Sequence, residues 1–87
     1  MNTLEKRLLR RSRIAVGIAH GKTGSGRAIR EKAGLRQREV AAILGVDQGA
    51  VSKWERGLHP PSDDNAVAWA DLLDRIRGTA EPTESPA

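Results

Sequence analysis

The chain has 87 residues and a mass of 9.4 kDa, which is the size of one small domain. It has no Cys, so disulfide frameworks and thiolate metal sites are excluded. The net charge of +4 and the pI of about 10.3 indicate a polyanionic partner. Residues 1–56 carry a net charge of +8 and residues 57–87 a net charge of −4, so we expect the polyanion to bind the first two thirds of the chain.

Several function classes are disfavoured by what the chain lacks. Without Phe or Tyr and with only two Trp, it has no aromatic platform on which single-stranded nucleic acid stacks. No apolar run approaches the ~20 residues of a membrane span, and the apolar residues 14–19 are too few for a secretory signal. No pair of titratable residues has a spacing typical of catalysis. We therefore expect a cytoplasmic protein that is not an enzyme and needs no cofactor, metal, membrane or small-molecule ligand.

The first predicted element is a basic helix over residues 1–20. Asn2 and Glu5 have the spacing of a capping box, which satisfies backbone N–H groups at a helix start. Residues 21–25 are predicted to be a Gly-rich loop, because clustered Gly breaks helices. A nucleotide-binding loop is disfavoured there, since three residues separate Gly17 from the following Gly-Lys-Thr where four are needed.

Three short helices and a longer one are predicted to follow. They cover residues 27–33, 37–44, 48–56 and 63–77, with Asp47 as the cap of the third, and each is directly followed by Gly, which commonly ends helices. Residues 78–87 have no apolar periodicity and are predicted to be a disordered tail. The prediction is therefore a compact all-α domain of four to five helices with a disordered C-terminal tail.

The strongest functional signal is a pair of short helices joined by a tight turn that contains Gly. Ala41 is small where the next helix must cross, Gly45 can turn the chain, and Val51 is the apolar residue that joins the two helices. Residues 34–57, GLRQREVAAILGVDQGAVSKWERG, resemble the helix-turn-helix of the phage repressor/Cro family, the XRE-like class. The resemblance covers roughly residues 26–76 and implies a domain over residues 26–77 that binds duplex DNA.

The resemblance also implies roles for individual residues. Base contacts in the major groove are expected from the second helix of the motif, where Gln can pair with adenine and Lys with guanine. These residues are Gln48, Gly49, Ala50 and Lys53. Phosphate contacts are expected from Gln37, Arg36, Ser52 and Arg56. Because Gly and Ala offer little side chain to the bases, part of the specificity is expected from DNA shape.

Two further positions are informative in the light of this resemblance. Arg30 and Glu55 match a pair that forms a buried ion pair in the family and ties the first helix of the domain to the end of the recognition helix. Arg36 departs from the family pattern, which has a Ser or Thr cap there that contributes about 1 kcal/mol.

The basic cluster of the N-terminal helix has three interpretations. It is a solvated helix face, an accessory contact to the DNA backbone or minor groove, or a membrane-surface helix with a thin apolar side. The accessory DNA contacts would come from Arg7, Arg10, Arg11, Arg13 and Lys22. Elsewhere, we expect Trp54 and Trp69 to pack in the core, and His20 and His59 to lie in loops without a special role.

The resemblance therefore predicts a sequence-specific transcriptional regulator of double-stranded DNA. It would be a small phage or bacterial repressor, Cro-like, that acts by operator occupancy in the cytoplasm, at the nucleoid or in the host cell. A homodimer with recognition helices about 34 Å apart would read a palindrome, with helix 2–19 or helix 63–77 as the interface. The alternative is an antitoxin-type regulator that also binds a protein partner.

Overall fold

A computed structural model of the chain describes residues 1–80, which form five helices and contain no strand. The predicted all-α fold of four to five helices is thus confirmed. Of the tail predicted over residues 78–87, residues 78–80 continue the last helix and the rest lies outside the described residues. None of the helices described is long and apolar enough to cross a membrane. The helices are α1 (Thr3–Thr23), α2 (Ser25–Lys32), α3 (Gln37–Leu44), α4 (Gln48–Glu55) and α5 (Asp63–Ala80).

Helix α1 begins as predicted and ends later than predicted. The Asn2 side chain accepts a hydrogen bond from the Glu5 N–H at 2.8 Å, and the Glu5 carboxylate accepts one from the Asn2 N–H at 3.0 Å. The Gly-rich loop predicted over residues 21–25 is wrong, because α1 continues through Thr23 and α2 starts at Ser25. Only Gly24, in the left-handed conformation at φ 81°, separates the two helices.

The other Gly residues of this segment allow helices to approach closely. A Cβ at Gly17 would collide with the backbone of Ala66 on α5, and a Cβ at Gly21 would collide with the backbone of Trp54 on α4. A Cβ at Gly26 would lie 2.7 Å from the ring of Trp69. Since Gly17 and Gly21 are four residues apart, they share one face of α1. Gly21 therefore serves helix packing and not a loop, which explains why the loop prediction failed.

The hydrophobic core lies between α5 and the helices α3 and α4. Trp69 and Leu73 of α5 are completely buried, and Trp54 of α4 packs on Trp69 with ring centroids 5.4 Å apart. Aromatic pairs at such distances contribute beyond the area they bury. The expectation that both Trp residues lie in the core is confirmed. The buried cluster consists of Val40, Ala41, Val51, Trp54, Trp69, Leu72, Leu73 and Ile76.

Helix α1 is fixed to α5 by ion pairs as well as by packing. Arg13 donates to Asp71 at 2.9 Å and to Asp74 at 2.6 Å, and these two carboxylates raise the pKa of Arg13. Arg10 donates to Asp64 at 2.5 Å. From Arg10 onward, α1 is therefore part of the globule formed by α2 to α5, and α1 also contacts α2 and α4.

Candidate nucleic-acid interface

Helices α3 and α4 form the helix-turn-helix that the motif predicts. Gly45 ends α3 at φ 71°, and the Val46 N–H donates to the Ala41 carbonyl at 3.0 Å. Asp47 has extended backbone and its carbonyl accepts from the Ala50 N–H at 3.0 Å, so α4 starts immediately after the turn. Val51 is fully buried, as its role in joining the helices requires. The first turn of α4 is thereby held at the surface.

A buried ion pair joins α2 to the C-terminal end of α4. Arg30 donates to Glu55 through Nε at 2.6 Å and through Nη2 at 3.0 Å, and its Nη1 donates to the Leu35 carbonyl at 2.9 Å. The Glu55 side chain is 1% exposed, and its hydrogen bonds with Arg30, aided by its negative charge, raise the pKa of Arg30. The pair implied by the resemblance is therefore present, with both carboxylate oxygens engaged.

Gln37 extends this pair to the protein surface. Its Nε2 donates to Glu55 Oε1 at 2.9 Å, and its Oε1 accepts from the Nε2 of Gln48 at 3.3 Å. Hydrogen bonds therefore run from Arg30 in the interior to Gln48 on the exposed first turn of α4. Because both amides are held, Gln48 loses rotamer freedom before any ligand binds, and such preorganisation favours binding. The Gln48 Oε1 and one N–H remain available to a partner.

The remaining residues of α4 that were predicted to contact DNA differ in their exposure and in the face of the helix on which they lie. Gly49 and Lys53 are exposed on the face opposite the buried Val51. Ser52 is half-buried beside them, and Ala50 is half-buried and packs against the core. The outward face thus presents Gln48, Gly49, Ser52, Lys53 and, at the end of the helix, Arg56.

Beside this face lies an open cleft of about 530 Å³, here called the arginine cleft. Its acidic group, Glu55, is already paired with Arg30, so the exposed guanidinium groups leave the cleft positive. The N-terminus of α3 opens into it, and free N–H groups at a helix start attract anions. The cleft is lined by Arg27, Arg30, Arg36, Gln37, Arg38, Gln48, Glu55 and Arg56.

Arg36 shows how the missing helix cap is replaced. Its own side chain makes no capping hydrogen bond, but the Glu39 carboxylate accepts from the Arg36 N–H at 2.7 Å. Of the two hydrogen bonds of a capping box, the one from the N-cap backbone N–H to the side chain three residues later is therefore present. The Arg36 guanidinium forms no ion pair within residues 1–80 and lines the cleft.

Two arginines of the cleft had no predicted role. Arg38 directly follows Gln37 in the first turn of α3, and Arg27 lies in the first turn of α2, where it pairs with Glu31 at 3.0 Å. Their charge and their position next to predicted helix starts were visible in the sequence. The proximity of the two helix starts could not be inferred from the sequence, because it depends on how α2 packs against α3 and α4.

The predicted accessory residues do not join the cleft. Arg10 and Arg13 are engaged with acidic residues of α5, and Lys22 is exposed in the last turn of α1. Arg7 and Arg11 are exposed and, with Arg10, line a separate open cleft of about 390 Å³ next to Asp63. Their contact with DNA stays a prediction.

The prediction that His20 lies in a loop is wrong. His20 is a buried residue of α1, with its Nδ1 2.7 Å from the Ser25 hydroxyl oxygen and its ring edge-on to Trp69 at 6.3 Å between centroids. Its Nε2 has no hydrogen-bond partner in the described part of the chain. Burial, reinforced by the positive charge of Arg77, lowers the pKa of His20. His59 is exposed between α4 and α5.

Comparison with known proteins agrees with the helix-turn-helix formed by α3 and α4. A family model described as helix-turn-helix matches residues 27–83, about two thirds of the chain. The match begins within α2 and runs through α5, so it includes both the motif and the residues that line the cleft. The searches of curated proteins and of solved structures found no match.

Proposed function

The chain belongs to the XRE-type helix-turn-helix family and is a DNA-binding transcription regulator, and on this premise we propose that it represses transcription by occupying an operator. It is a small phage or bacterial repressor of the Cro type, acting in the cytoplasm by binding alone, with neither catalysis nor a cofactor. The observation that carries the proposal is the run of hydrogen bonds from Arg30 to Gln48, which aims an amide outward from α4.

In this proposal α4 enters the major groove with its first turn nearest the bases. The Gln48 Oε1 accepts from adenine N6 and its Nε2 donates to adenine N7, while the second Nε2 hydrogen stays with Gln37. Lys53, one turn further along the exposed face, donates to guanine or to a phosphate. Gly49 lets the backbone approach the bases closely, and Ala50 contacts a thymine methyl group from its half-buried position.

The arginine cleft receives the phosphates that border this part of the groove. The Gln37 N–H at the start of α3 binds one phosphate, and the guanidinium groups of Arg36, Arg38 and Arg56 neutralise others. Ser52 adds a hydroxyl donor beside them. Since each neutralised phosphate releases counterions, affinity falls as salt rises, with a slope of about −0.9 per phosphate.

Two copies of the protein read a palindromic operator. A two-fold axis relating the copies places equivalent recognition helices about one DNA turn, roughly 34 Å, apart. Each half-site is then read by one Gln48, and the second copy doubles the number of phosphate contacts. Occupancy depends on protein concentration, which becomes the control variable for repression.

The experiment is a selection from random duplex DNA, followed by anisotropy titrations of the selected site. We expect an enriched palindrome. The Gln48→Ala variant should lose discrimination against a changed half-site by about 1–3 kcal/mol, the value of one bidentate base contact. The second variant is Lys53→Met, which keeps the aliphatic stem but removes the charged donor, and it should weaken binding to the selected site as well. Absence of any enriched sequence contradicts the proposal.

A further inference from the structure

The first turns of α1, before Arg10, carry large apolar side chains in solvent. Residues 3–12 are all exposed, and Leu4, Leu8 and Leu9 are 63%, 57% and 52% exposed. A helix has about 3.6 residues per turn, so Leu4 and Leu8 share a face with the exposed Ala15 and Ala19. This α1 stripe, consisting of Leu4, Leu8, Ala15 and Ala19, lies opposite the face that packs on α5.

The stripe has large residues at one end and small residues at the other. Leu4 and Leu8 protrude near the N-terminus of α1, whereas Ala15 and Ala19 leave shallow depressions near its C-terminus. Near the Ala19 end of the stripe, residues of α1 that flank it line a largely apolar cavity of about 230 Å³. This volume is several times the ~30 Å³ that one water molecule occupies in the liquid, so the cavity has room for an aliphatic side chain. Its lining includes Ile18, Lys22, Trp54, Pro60 and Pro61.

We propose that two copies of the chain pair through antiparallel α1 helices, with this stripe as the interface. A two-fold axis perpendicular to the helices places the leucines of each copy opposite the alanines of the other, so the protrusions of one copy meet the depressions of its partner. Leu8 of the second copy lies over Ile18 and Ala19, and its Leu4 reaches the mouth of the cavity. The aliphatic stem of Arg11 covers Ala15 of the second copy and keeps its charge in water.

The charges at the two ends of α1 agree with an antiparallel order. Glu5 lies in the first turn and Lys22 in the last turn. Antiparallel pairing brings Glu5 of each copy within one turn of Lys22 of the other, so opposite charges meet at both ends. A parallel pair would instead place each Lys22 beside its counterpart and each Glu5 beside its counterpart. The charges at these two ends therefore favour the antiparallel over the parallel orientation of a second copy.

The size of the interface sets the expected strength of the pairing. With 21 residues, α1 is about 31 Å long at 1.5 Å per residue. A contact along one helix buries less than the ~800 Å² per partner of a standard interface. We therefore expect a reversible dimer in the micromolar range, which forms without DNA. The pairing assigns a surface to the proposed homodimer but is measured independently of DNA binding, so each proposal can fail alone.

The first test is sedimentation equilibrium of the full chain, as wild type, Leu8→Gln and Leu9→Gln. Leu9 is the matched control, because it has nearly the exposure of Leu8 but points away from the stripe. We expect Leu8→Gln to raise the dimer dissociation constant at least about tenfold, equivalent to 1.4 kcal/mol, and Leu9→Gln to leave it nearly unchanged. Circular dichroism should show an unchanged fold for both. A monomeric wild type, or equal effects of the two variants, overturns the proposal.

The second test uses the absence of Cys from the chain. Leu8→Cys and Ala19→Cys copies, one of them mass-tagged, are oxidised separately and as a mixture. Antiparallel pairing brings these positions together across the axis but holds the two copies of residue 8 roughly 16 Å apart along the helix, too far for a disulfide. We expect the linked pair in the mixture only. Linkage in Leu8→Cys alone indicates parallel helices, and absence of linkage in the mixture indicates no pairing here; either overturns the proposal.

Discussion

Replacing Glu55 by Gln tests whether the buried ion pair holds the recognition helix in place. The change keeps the shape of the side chain but leaves Arg30, which is 10% exposed, without a counter-charge. Three N–H donors now converge on two carboxylate oxygens, two from Arg30 and one from Gln37. In the variant they must share a single amide oxygen and face an NH₂ group that cannot accept.

The expected loss of stability follows from the cost of leaving one partner of a buried ion pair without its counter-charge. Such changes destabilise proteins by about 3–5 kcal/mol, and we expect about 3 kcal/mol here because one acceptor oxygen survives. For a domain of this size that corresponds to a fall in melting temperature of about 12–24 °C. The double variant Arg30→Met/Glu55→Leu should be less destabilised than Glu55→Gln, since apolar replacements remove both charges.

The assay is urea denaturation followed by circular dichroism, with wild type, single variant and double variant compared at one pH and salt concentration. Equal m-values are needed for the free energies of unfolding to be compared. A loss below about 1 kcal/mol for Glu55→Gln, the value of an exposed pair, would refute the view that this pair is a buried structural tie. A double variant as unstable as the single one would contradict the desolvation argument.

Three further predictions concern α1 and the cleft. Because burial lowers the pKa of His20, the unfolded chain binds a proton more readily than the folded protein, and the free energy of unfolding decreases as pH falls below about 6.5. The variant His20→Asn should reduce this dependence on pH, which urea titrations at pH 7 and pH 5 measure. An unchanged dependence contradicts the view that His20 is buried in its neutral form. Gly17→Ala should lower the free energy of unfolding by about 1–3 kcal/mol, because the new Cβ collides with the α5 backbone. Gly78→Ala, whose Cβ has no neighbour within 4 Å, should raise it by up to about 1 kcal/mol. Similar effects of the two variants in thermal unfolding would contradict the packing role of Gly17. Arg38→Ala should reduce the salt slope of DNA binding by about 1, while Lys32→Ala, of equal charge but outside the cleft, should leave it unchanged.

The helix-turn-helix could be predicted closely because its signals are local. The predicted helix over residues 37–44 coincides with α3, and the predicted helix that is capped by Asp47 and runs to about Arg56 differs from α4 by one residue at its end. Gly45 and the residues around it specify the turn by their own conformational preferences. The buried Val51 follows from the same few residues. No contact with a distant part of the chain is needed to infer these features.

The N-terminal segment was predicted less well because its Gly residues act through distant partners. Gly21, predicted to lie in a loop, is helical because it faces the backbone of α4, just as Gly17 in the predicted helix faces the backbone of α5. Local propensity disfavours Gly in a helix by about 1 kcal/mol, and close packing outweighs that preference here. His20 was assigned to a loop for the same reason, since its burial depends on α2 and α5 covering it.

The candidate site combines both kinds of information. The identity of Gln48 as an outward residue follows from the motif, whereas its restraint by Gln37 and the buried Glu55 depends on three helices meeting. The same carboxylate therefore serves stability through Arg30 and the direction of a proposed base-reading side chain through Gln37. A protein that couples these two roles cannot lose the ion pair and keep its recognition surface unchanged. Weakened discrimination in a Glu55 variant that still folds would follow from this coupling, even though Glu55 is too deeply buried to contact DNA.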